Sequence, residues 1–146
     1  MLHIAICDDQ PDQIRSIRQS SERYFQDKQD TVSYETFDNA FSFVDTINQG
    51  AIFDIVLLDV CMPGILGTEV AQELRKFSSS TEIIFLTTSD EFAMDAFAVK
   101  ATDYLLKPFT QSQFNQAMDR AIAFIRQRSS AKIMLRLVGG GLCIEE

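Results

Sequence analysis

Histidine and cysteine, which often carry nucleophilic and metal chemistry, are scarce in this chain of 146 residues. Its one histidine, His3, opens a predicted strand. A Ser-His-Asp or Cys-His catalytic pair built on any other histidine is therefore excluded. The three cysteines, Cys7, Cys61 and Cys143, are odd in number and lack CxxC spacing. We therefore expect reduced thiols without a redox or metal role.

Long apolar runs and a basic face are also missing. No run approaches the roughly 18 apolar residues of a membrane span, and the opening Met1 to Ile4 lacks the basic flank of a signal peptide. These absences predict a cytoplasmic protein with no membrane partner. The formal charge of −8 argues against this domain gripping nucleic acid by itself. A length of 146 residues with 46% hydrophobic residues predicts one compact domain, with room for a short appendage.

One apolar run ends on a carboxylate, and the rest of the chain can be arranged around it. The four residues Ile55 to Leu58 are typical of a short strand buried on both faces, the central strand of a parallel sheet. Asp59 follows where this strand ends. Because ligands bind at the carboxyl ends of strands in open α/β sheets, Asp59 is placed for chemistry.

Five apolar segments alternate with five helical patterns along the chain, which predicts a doubly wound α/β fold with a five-stranded parallel sheet. The clearest helical stripe runs from Phe114 to Ile125, after a capping box over Thr110 to Gln113. Polar residues fall at the carboxyl ends of the predicted strands, which share one edge of a parallel sheet. They are Asp8, Asp9, Asp59, Thr87 and Lys107.

Three carboxylates at one edge repel each other and stay ionised together only beside a cation, and oxygen ligands of this kind suit Mg²⁺. With Lys107 and Thr87, such a site could bind a phosphoryl group, and a carboxylate could itself be the nucleophile. Taken singly, each residue has an ordinary alternative: Asp9 as a helix cap, Lys107 as a solvated lysine. Their joint placement favours the functional interpretation.

These same segments resemble the receiver domain of two-component response regulators. The resemblance rests on Cys7-Asp8-Asp9, Leu58 through Gly64 to Gly67, Leu86-Thr87-Thr88 and Asp103 to Phe109, in order from about Leu2 to Arg126. It implies a flavodoxin-like (βα)5 fold with strand order 2-1-3-4-5 and a receiver domain over residues 1–128. It also implies a signalling switch rather than an enzyme.

The resemblance implies a role for each residue of the cluster. Asp59 would be the phosphoacceptor, and its donor a phosphohistidine on a sensor histidine kinase. Thr87 and Lys107 would contact the phosphoryl group, and Tyr104 would turn inward with Thr87. The Mg²⁺ ligands would be Asp8, through a water, with Asp9, Asp59 and the backbone carbonyl of Cys61. The bond between Lys107 and Pro108 would be a cis peptide, which X-Pro bonds make accessible.

The segment from Ser89 to Tyr104 resembles the receivers that precede LytTR-type DNA-binding domains. This implies transcriptional regulation, with DNA contacted only through an output domain absent or truncated here. Phosphorylation would reshape the face of the fourth helix, fifth strand and fifth helix, and favour a homodimer or release the output. Phe92 and Val99 are the predicted exposed residues of that face.

Residues 129–146 are predicted to be a linker and a possible start of a truncated output domain. The stretch 132–138 partly alternates, and three glycines from Gly139 then lead to Leu142, which is a hairpin signal. It is similar to the opening strands of a LytTR domain. A tail that is frayed or that extends the sheet is the equal alternative.

Three other functions compete with the switch. A haloacid-dehalogenase-like phosphatase also uses an aspartate nucleophile, but expects an acid two residues later, where this chain has Cys61. A flavodoxin-like cofactor carrier needs a phosphate loop where this chain has Asp8 and Asp9. The third alternative is a receiver used as an interaction module without phosphate.

Overall fold

The computed structural model describes residues 1–139, with side chains described for residues 1–131. In that part of the chain, five strands alternate with five helices. The strands are β1 (Leu2–Cys7), β2 (Val32–Phe37), β3 (Ile55–Leu58), β4 (Glu82–Thr87) and β5 (Asp103–Leu106). The helices are α1 (Pro11–Phe25), α2 (Ala40–Asn48), α3 (Gly67–Phe77), α4 (Ala93–Ala98) and α5 (Gln111–Gly139). The sheet is parallel with order β2-β1-β3-β4-β5, which confirms the predicted fold class and strand order.

Strand β3 is the centre of the sheet, and all four of its residues are buried. Its last residue, Leu58, pairs with Cys7 of β1 and with Phe85 of β4. Because these strands are parallel and in register, the residues that follow them emerge at one edge of the sheet. We call it the carboxyl edge, and it carries Asp8, Asp9, Asp59, Thr87 and Lys107.

Each face of the sheet is covered by its own hydrophobic core. On one face, β-strand residues pack with α2, α3 and α4, and Phe43 and Phe85 are its largest fully buried side chains. On the other face, α1 and α5 pack over the sheet, with Phe114 fully buried. Each such side chain stabilises the fold by about 1.5–3 kcal/mol relative to exposure. The two cores together hold the strand ends of the carboxyl edge in a fixed arrangement.

The start of α5 confirms its predicted cap, and α2 also begins with a side-chain cap. The backbone N–H of Gln113 donates to Thr110 Oγ1 at 3.1 Å, and that of Thr110 donates to Gln113 Oε1 at 2.8 Å. Such reciprocal bonds satisfy two otherwise orphaned donors. In α2 the cap is Asn39, whose Oδ1 accepts from Ser42 N–H at 2.8 Å.

The predicted exposure of Val99 is wrong. Val99 is buried and Phe92 is partly buried, because they pack with Ala96 against the core on one side of the short helix α4. The exposed apolar residues of α4 are instead Met94 and Phe97, with 79% and 81% of their surface accessible. The helix α4 occurs where it was predicted, but it is rotated about its own axis, so that different residues face the solvent.

The strand predicted over residues 132–138 is also wrong, because α5 continues as a helix to Gly139. Lysine, methionine, leucine and arginine all have high helix propensity, and no proline interrupts them. The rest of the predicted hairpin lies outside the described residues. The predicted boundary after residue 128 falls within this helix and stays a prediction. Across residues 1–139, none of the helices has the length and apolar character that a membrane span requires.

Candidate functional site

Three carboxylates lie together at the carboxyl edge. Asp8 and Asp9 follow β1 and Asp59 follows β3, and each offers an oxygen within 4.8 Å of the others. Asp8 is 1% exposed, Asp59 is 8% exposed and Asp9 is partly exposed. The three side chains therefore lie close together, as expected from the sequence. Like charges at this separation raise each other's energy unless a cation balances them.

Lys107, which follows β5, supplies one positive charge to this cluster. Its Nζ donates to Asp8 Oδ2 at 2.7 Å, and the lysine side chain is 12% exposed. The other oxygen of Asp8 accepts from Gln10 N–H at 3.0 Å. The peptide bond between Lys107 and Pro108 is cis. One ammonium among three carboxylates leaves a net negative charge at the edge.

Burial and neighbours act in opposite directions on Asp59. Burial raises the pKa of its carboxyl group, Lys107 lowers it, and Asp8 raises it again. The Cys61 backbone N–H donates to Asp59 Oδ1 at 3.4 Å. The two cysteines near this site differ in burial: Cys61 is exposed beside the cleft, and Cys7 is buried. Burial raises the pKa of the Cys7 thiol to about 12.

The loop after Asp59 is held close by Gly67, the first residue of α3. Gly67 N–H donates to the carbonyl of Val60 at 2.8 Å. A Cβ at Gly67 would lie 2.0 Å from the carbonyl oxygen of Asp59, so only glycine fits against this backbone. At Gly64, φ is +89°, a left-handed conformation that glycine adopts without strain. The two glycines therefore fix the turn that presents Asp59.

Thr87 and Tyr104 lie beside the carboxylates, and the Thr87 side chain helps to lower the pKa of Asp59. Thr87 is fully buried and its hydroxyl donates to Cys61 Sγ at 3.9 Å. Ser89 N–H donates to Thr87 Oγ1 at 3.4 Å. The Tyr104 hydroxyl donates to the backbone carbonyl of Ser89, and the tyrosine ring packs at 6.0 Å from Phe85. Tyr104 is thus linked to Thr87 through Ser89.

The donor set fits a hard divalent cation. Mg²⁺ prefers oxygen ligands, takes one or two protein carboxylates and keeps several waters. Asp9 and Asp59 offer such oxygens beside a cleft, and Asp8 adds a third nearby. A cation here would also relieve the repulsion among the three carboxylates. The residues present therefore fit the predicted cofactor.

A cavity of about 570 Å³ opens over the site and extends along α1. It is lined at one end by Asp9, Asp59, Cys61, Thr88, Lys107 and Pro108. Its other wall was not predicted from the sequence, and comprises Gln13, Ser16, Ser20 and Arg23 of α1 with Gln111 of α5. The spacing of these α1 residues by three and four positions is the available sequence signal, because it marks a polar helix face.

Residues 4–119 match the response regulator receiver domain family, and this chain belongs to that family. It is the receiver domain of a two-component response regulator. Among curated proteins, it is 35% identical over 136 residues to the sensory transduction protein LytT of Oceanobacillus iheyensis. That match covers 90% of this chain and 50% of the relative. The chain thus spans about half the length of that relative.

Two further comparisons agree. The transcriptional regulatory protein LytR of Staphylococcus aureus is 40% identical over 77 residues, which cover 53% of this chain and 30% of the relative. The crystal structure of the response regulatory domain of protein mrkE from Klebsiella pneumoniae superposes with a TM-score of 0.70 and 25% identity. That superposition covers 86% of this chain and 99% of the other.

Proposed function

We propose that this receiver is a phosphorylation-operated switch in which Asp59 accepts a phosphoryl group from a sensor histidine kinase. In this transfer the P–N bond of a phosphohistidine breaks and a P–O bond to an Asp59 oxygen forms, while the imidazole leaves and takes up a proton. The observation that carries the proposal is the cluster of Asp8, Asp9 and Asp59, with oxygens within 4.8 Å and one lysine among them.

We assign the surrounding residues by what they contact. Asp9 and Asp59, with the Cys61 carbonyl, would hold Mg²⁺, and Asp8 would help through a water. When bound, Mg²⁺ offsets the negative charge of the phosphoryl oxygens. The ammonium group of Lys107 lies in the same cluster, where it can also contact a phosphoryl oxygen. The hydroxyl of Thr87 would reach the phosphoryl group after a shift toward Asp59.

The output would be transcription, through a LytTR-type DNA-binding segment. Support comes from the relative that is named a transcriptional regulatory protein, and from the long α5 that leads away from residue 119, where the family match ends. With a formal charge of −8, this domain is poorly suited to hold DNA by itself. This function places the protein in the cytoplasm, where DNA and a kinase's phosphohistidine are accessible.

The proposed dimer would form through α4, β5 and α5. Exposed apolar side chains on these elements support this choice, namely Met94, Phe97, Leu106 and Phe124. Phe97→Ser should weaken self-association of the phosphorylated domain without preventing its phosphorylation. Sedimentation velocity with and without acetyl phosphate measures the first effect, and intact mass measures the second. Phe77→Ser, on an exposed residue of α3, is the matched control.

Intact mass spectrometry after incubation with acetyl phosphate tests the switch itself. We expect a gain of one phosphoryl group that needs Mg²⁺ and is absent in Asp59→Asn. No gain in folded protein with Mg²⁺ present would contradict the proposal and favour a receiver used as a phosphate-independent interaction module. Repeated turnover of small phosphomonoesters would instead favour a phosphatase.

A further inference from the structure

A second group of charged residues lies at the amino edge of the sheet, opposite the carboxylates. Its centre is Arg75, near the end of α3, whose guanidinium donates to four backbone carbonyls. The acceptors are Val99 at 2.8 Å, Lys100 at 3.2 Å, Ser78 at 3.2 Å and Thr81 at 2.8 Å. One side chain therefore joins the end of α3, the loop before β4 and the end of α4.

The geometry of this contact needs arginine. A guanidinium presents five N–H donors in a rigid fork, whereas a lysine ammonium is a point charge on a flexible stem. Arg75 is partly buried, and burial lowers the pKa of its guanidinium. The four carbonyls replace the water that the cation has lost, so the bonds are worth more here than on an open surface.

The end of α4 that Arg75 holds is strained. Lys100 has φ of +58°, a left-handed conformation that usually belongs to glycine. Lys100 N–H donates to the Phe97 carbonyl at 3.0 Å, and Ala101 N–H donates to the Ala96 carbonyl at 3.1 Å. These two bonds form a Schellman motif with lysine in the glycine position. The bonds from Arg75 to Val99 and Lys100 offset the cost of this conformation.

The amino end of α4 is fastened differently. Among the described residues, no side chain caps the first turn of α4. The chain just before it is linked through Ser89, whose N–H contacts Thr87 and whose carbonyl accepts from Tyr104. The amino end of α4 therefore connects to residues of the carboxyl edge, while its carboxyl end is fixed by Arg75.

We propose that Arg75 makes the carboxyl end of α4 a fixed pivot, about which the amino end moves when Thr87 changes position. This rests on the proposed switch at Asp59 and adds the residue that determines which part of α4 responds. The anchor extends to α5, because Glu82 accepts from Thr102 Oγ1 at 2.6 Å and from Arg128 Nη1 at 2.5 Å. Movement at the amino end of α4 would therefore shift its exposed residues Met94 and Phe97, while α5 keeps its contact with Glu82.

Hydrogen exchange followed by mass spectrometry tests the pivot. In the wild-type domain, Mg²⁺ and acetyl phosphate should change exchange over residues 88–96 and leave the amides of Lys100 and Ala101 unchanged. In Arg75→Met those two amides should exchange on the order of tenfold faster before any phosphorylation, and phosphorylation should then alter them too. Lys76→Met, which removes an exposed lysine paired with Glu73, is the control and should behave as wild type.

Two further variants keep the test decisive. Arg75→Lys retains the positive charge but lacks the forked set of N–H donors. It should increase the exchange rate of the Lys100 and Ala101 amides by less than Arg75→Met does. It replaces Arg75→Met in the test if that variant fails to fold. Lys100→Gly in the Arg75→Met background should recover part of the protection, because glycine removes the cost of the left-handed conformation. Exchange at Lys100 and Ala101 that is the same in wild type, Arg75→Met and Arg75→Lys overturns the pivot.

The same samples separate this inference from the proposed function. Intact mass shows whether the domain has gained a phosphoryl group. If the Arg75 variants gain a phosphoryl group but their Lys100 and Ala101 amides exchange at the wild-type rate, the pivot alone is contradicted. Absence of the gain contradicts the switch, while faster exchange in unphosphorylated Arg75→Met would still support the anchor.

Discussion

The two edges of the sheet both hold charged side chains removed from water, but they balance charge in different ways. At the carboxyl edge, three carboxylates share the single ammonium of Lys107. At the amino edge, Glu82 is paired with Arg128, and Arg75 is surrounded by carbonyls. Like charges with too few partners are prepared for a ligand, whereas charged groups that are each ion-paired or hydrogen-bonded to carbonyls hold elements in place.

The largest expected effect comes from filling the space that Gly67 leaves beside Asp59. Gly67→Ala places a Cβ 2.0 Å from a backbone oxygen, which only a backbone shift can relieve. We expect the free energy of unfolding to fall by more than about 3 kcal/mol, measured by urea titration. Gly50→Ala is the control, with φ of +98° and no atom within 4 Å of the added Cβ. It should lose about 1 kcal/mol from backbone strain alone, and equal losses in the two variants would contradict the account.

Removing the one cation of the carboxyl edge should cost nearly as much. Lys107→Met leaves Asp8 buried without its partner, and we expect a loss of about 3 kcal/mol in metal-free buffer. Added Mg²⁺ should recover part of the loss, because a bound cation again offsets the carboxylates. Lys76→Met, at an exposed pair, should change stability by less than about 0.5 kcal/mol. A Lys107 variant as stable as wild type without metal would show that the cluster is not strained by its charge.

At the amino edge, the equivalent change should not depend on metal. Arg75→Met removes four hydrogen bonds, of which three are partly buried and the one to the Lys100 carbonyl is exposed, and we expect a loss of about 2 kcal/mol. Urea unfolding with and without Mg²⁺ should give the same loss. A loss that Mg²⁺ reduces would mean that the two edges are coupled in the resting domain, contrary to the contrast drawn here.

The smallest effect has the opposite sign. Asp59→Asn removes one of three crowded carboxylates while keeping the side-chain shape, so the metal-free domain should gain about 1 kcal/mol. The same variant should gain less than wild type from added Mg²⁺, because one oxygen ligand has been replaced by an amide. Thermal unfolding with a Mg²⁺ titration measures both. Destabilisation of metal-free Asp59→Asn would contradict surplus negative charge at this edge.

The carboxyl edge could be anticipated from the sequence because each of its residues follows an apolar run. In a parallel sheet, the end of each strand fixes where the next residue lies, so Asp8, Asp59 and Lys107 could be placed together without coordinates. The resemblance to a family supplied the strand order. Local pattern also predicted the cap from Thr110 to Gln113, because both partners lie within four residues.

The amino edge could not be anticipated in this way. Arg75 contacts carbonyl groups, which have no sequence signature, and its partners come from three segments of the chain. Glu82, a buried acid opening an apolar strand, was the one available signal. The rotation of α4 was also missed, because five of its six residues are apolar, so no polar side distinguishes the exposed face from the buried one. The helix over residues 132–138 was missed because partial alternation favoured a strand.

The central claim is that the carboxyl edge is a phosphorylation site at which Asp59, and neither Asp8 nor Asp9, is the residue that is modified. The direct measurement is borohydride reduction of the protein after reaction with acetyl phosphate and Mg²⁺, followed by peptide mapping. Borohydride converts an aspartyl phosphate to homoserine. The account predicts homoserine at position 59, with Asp8 and Asp9 intact. Homoserine at position 8 or 9 in place of 59, or at none of the three in protein that has gained a phosphoryl group, would contradict it.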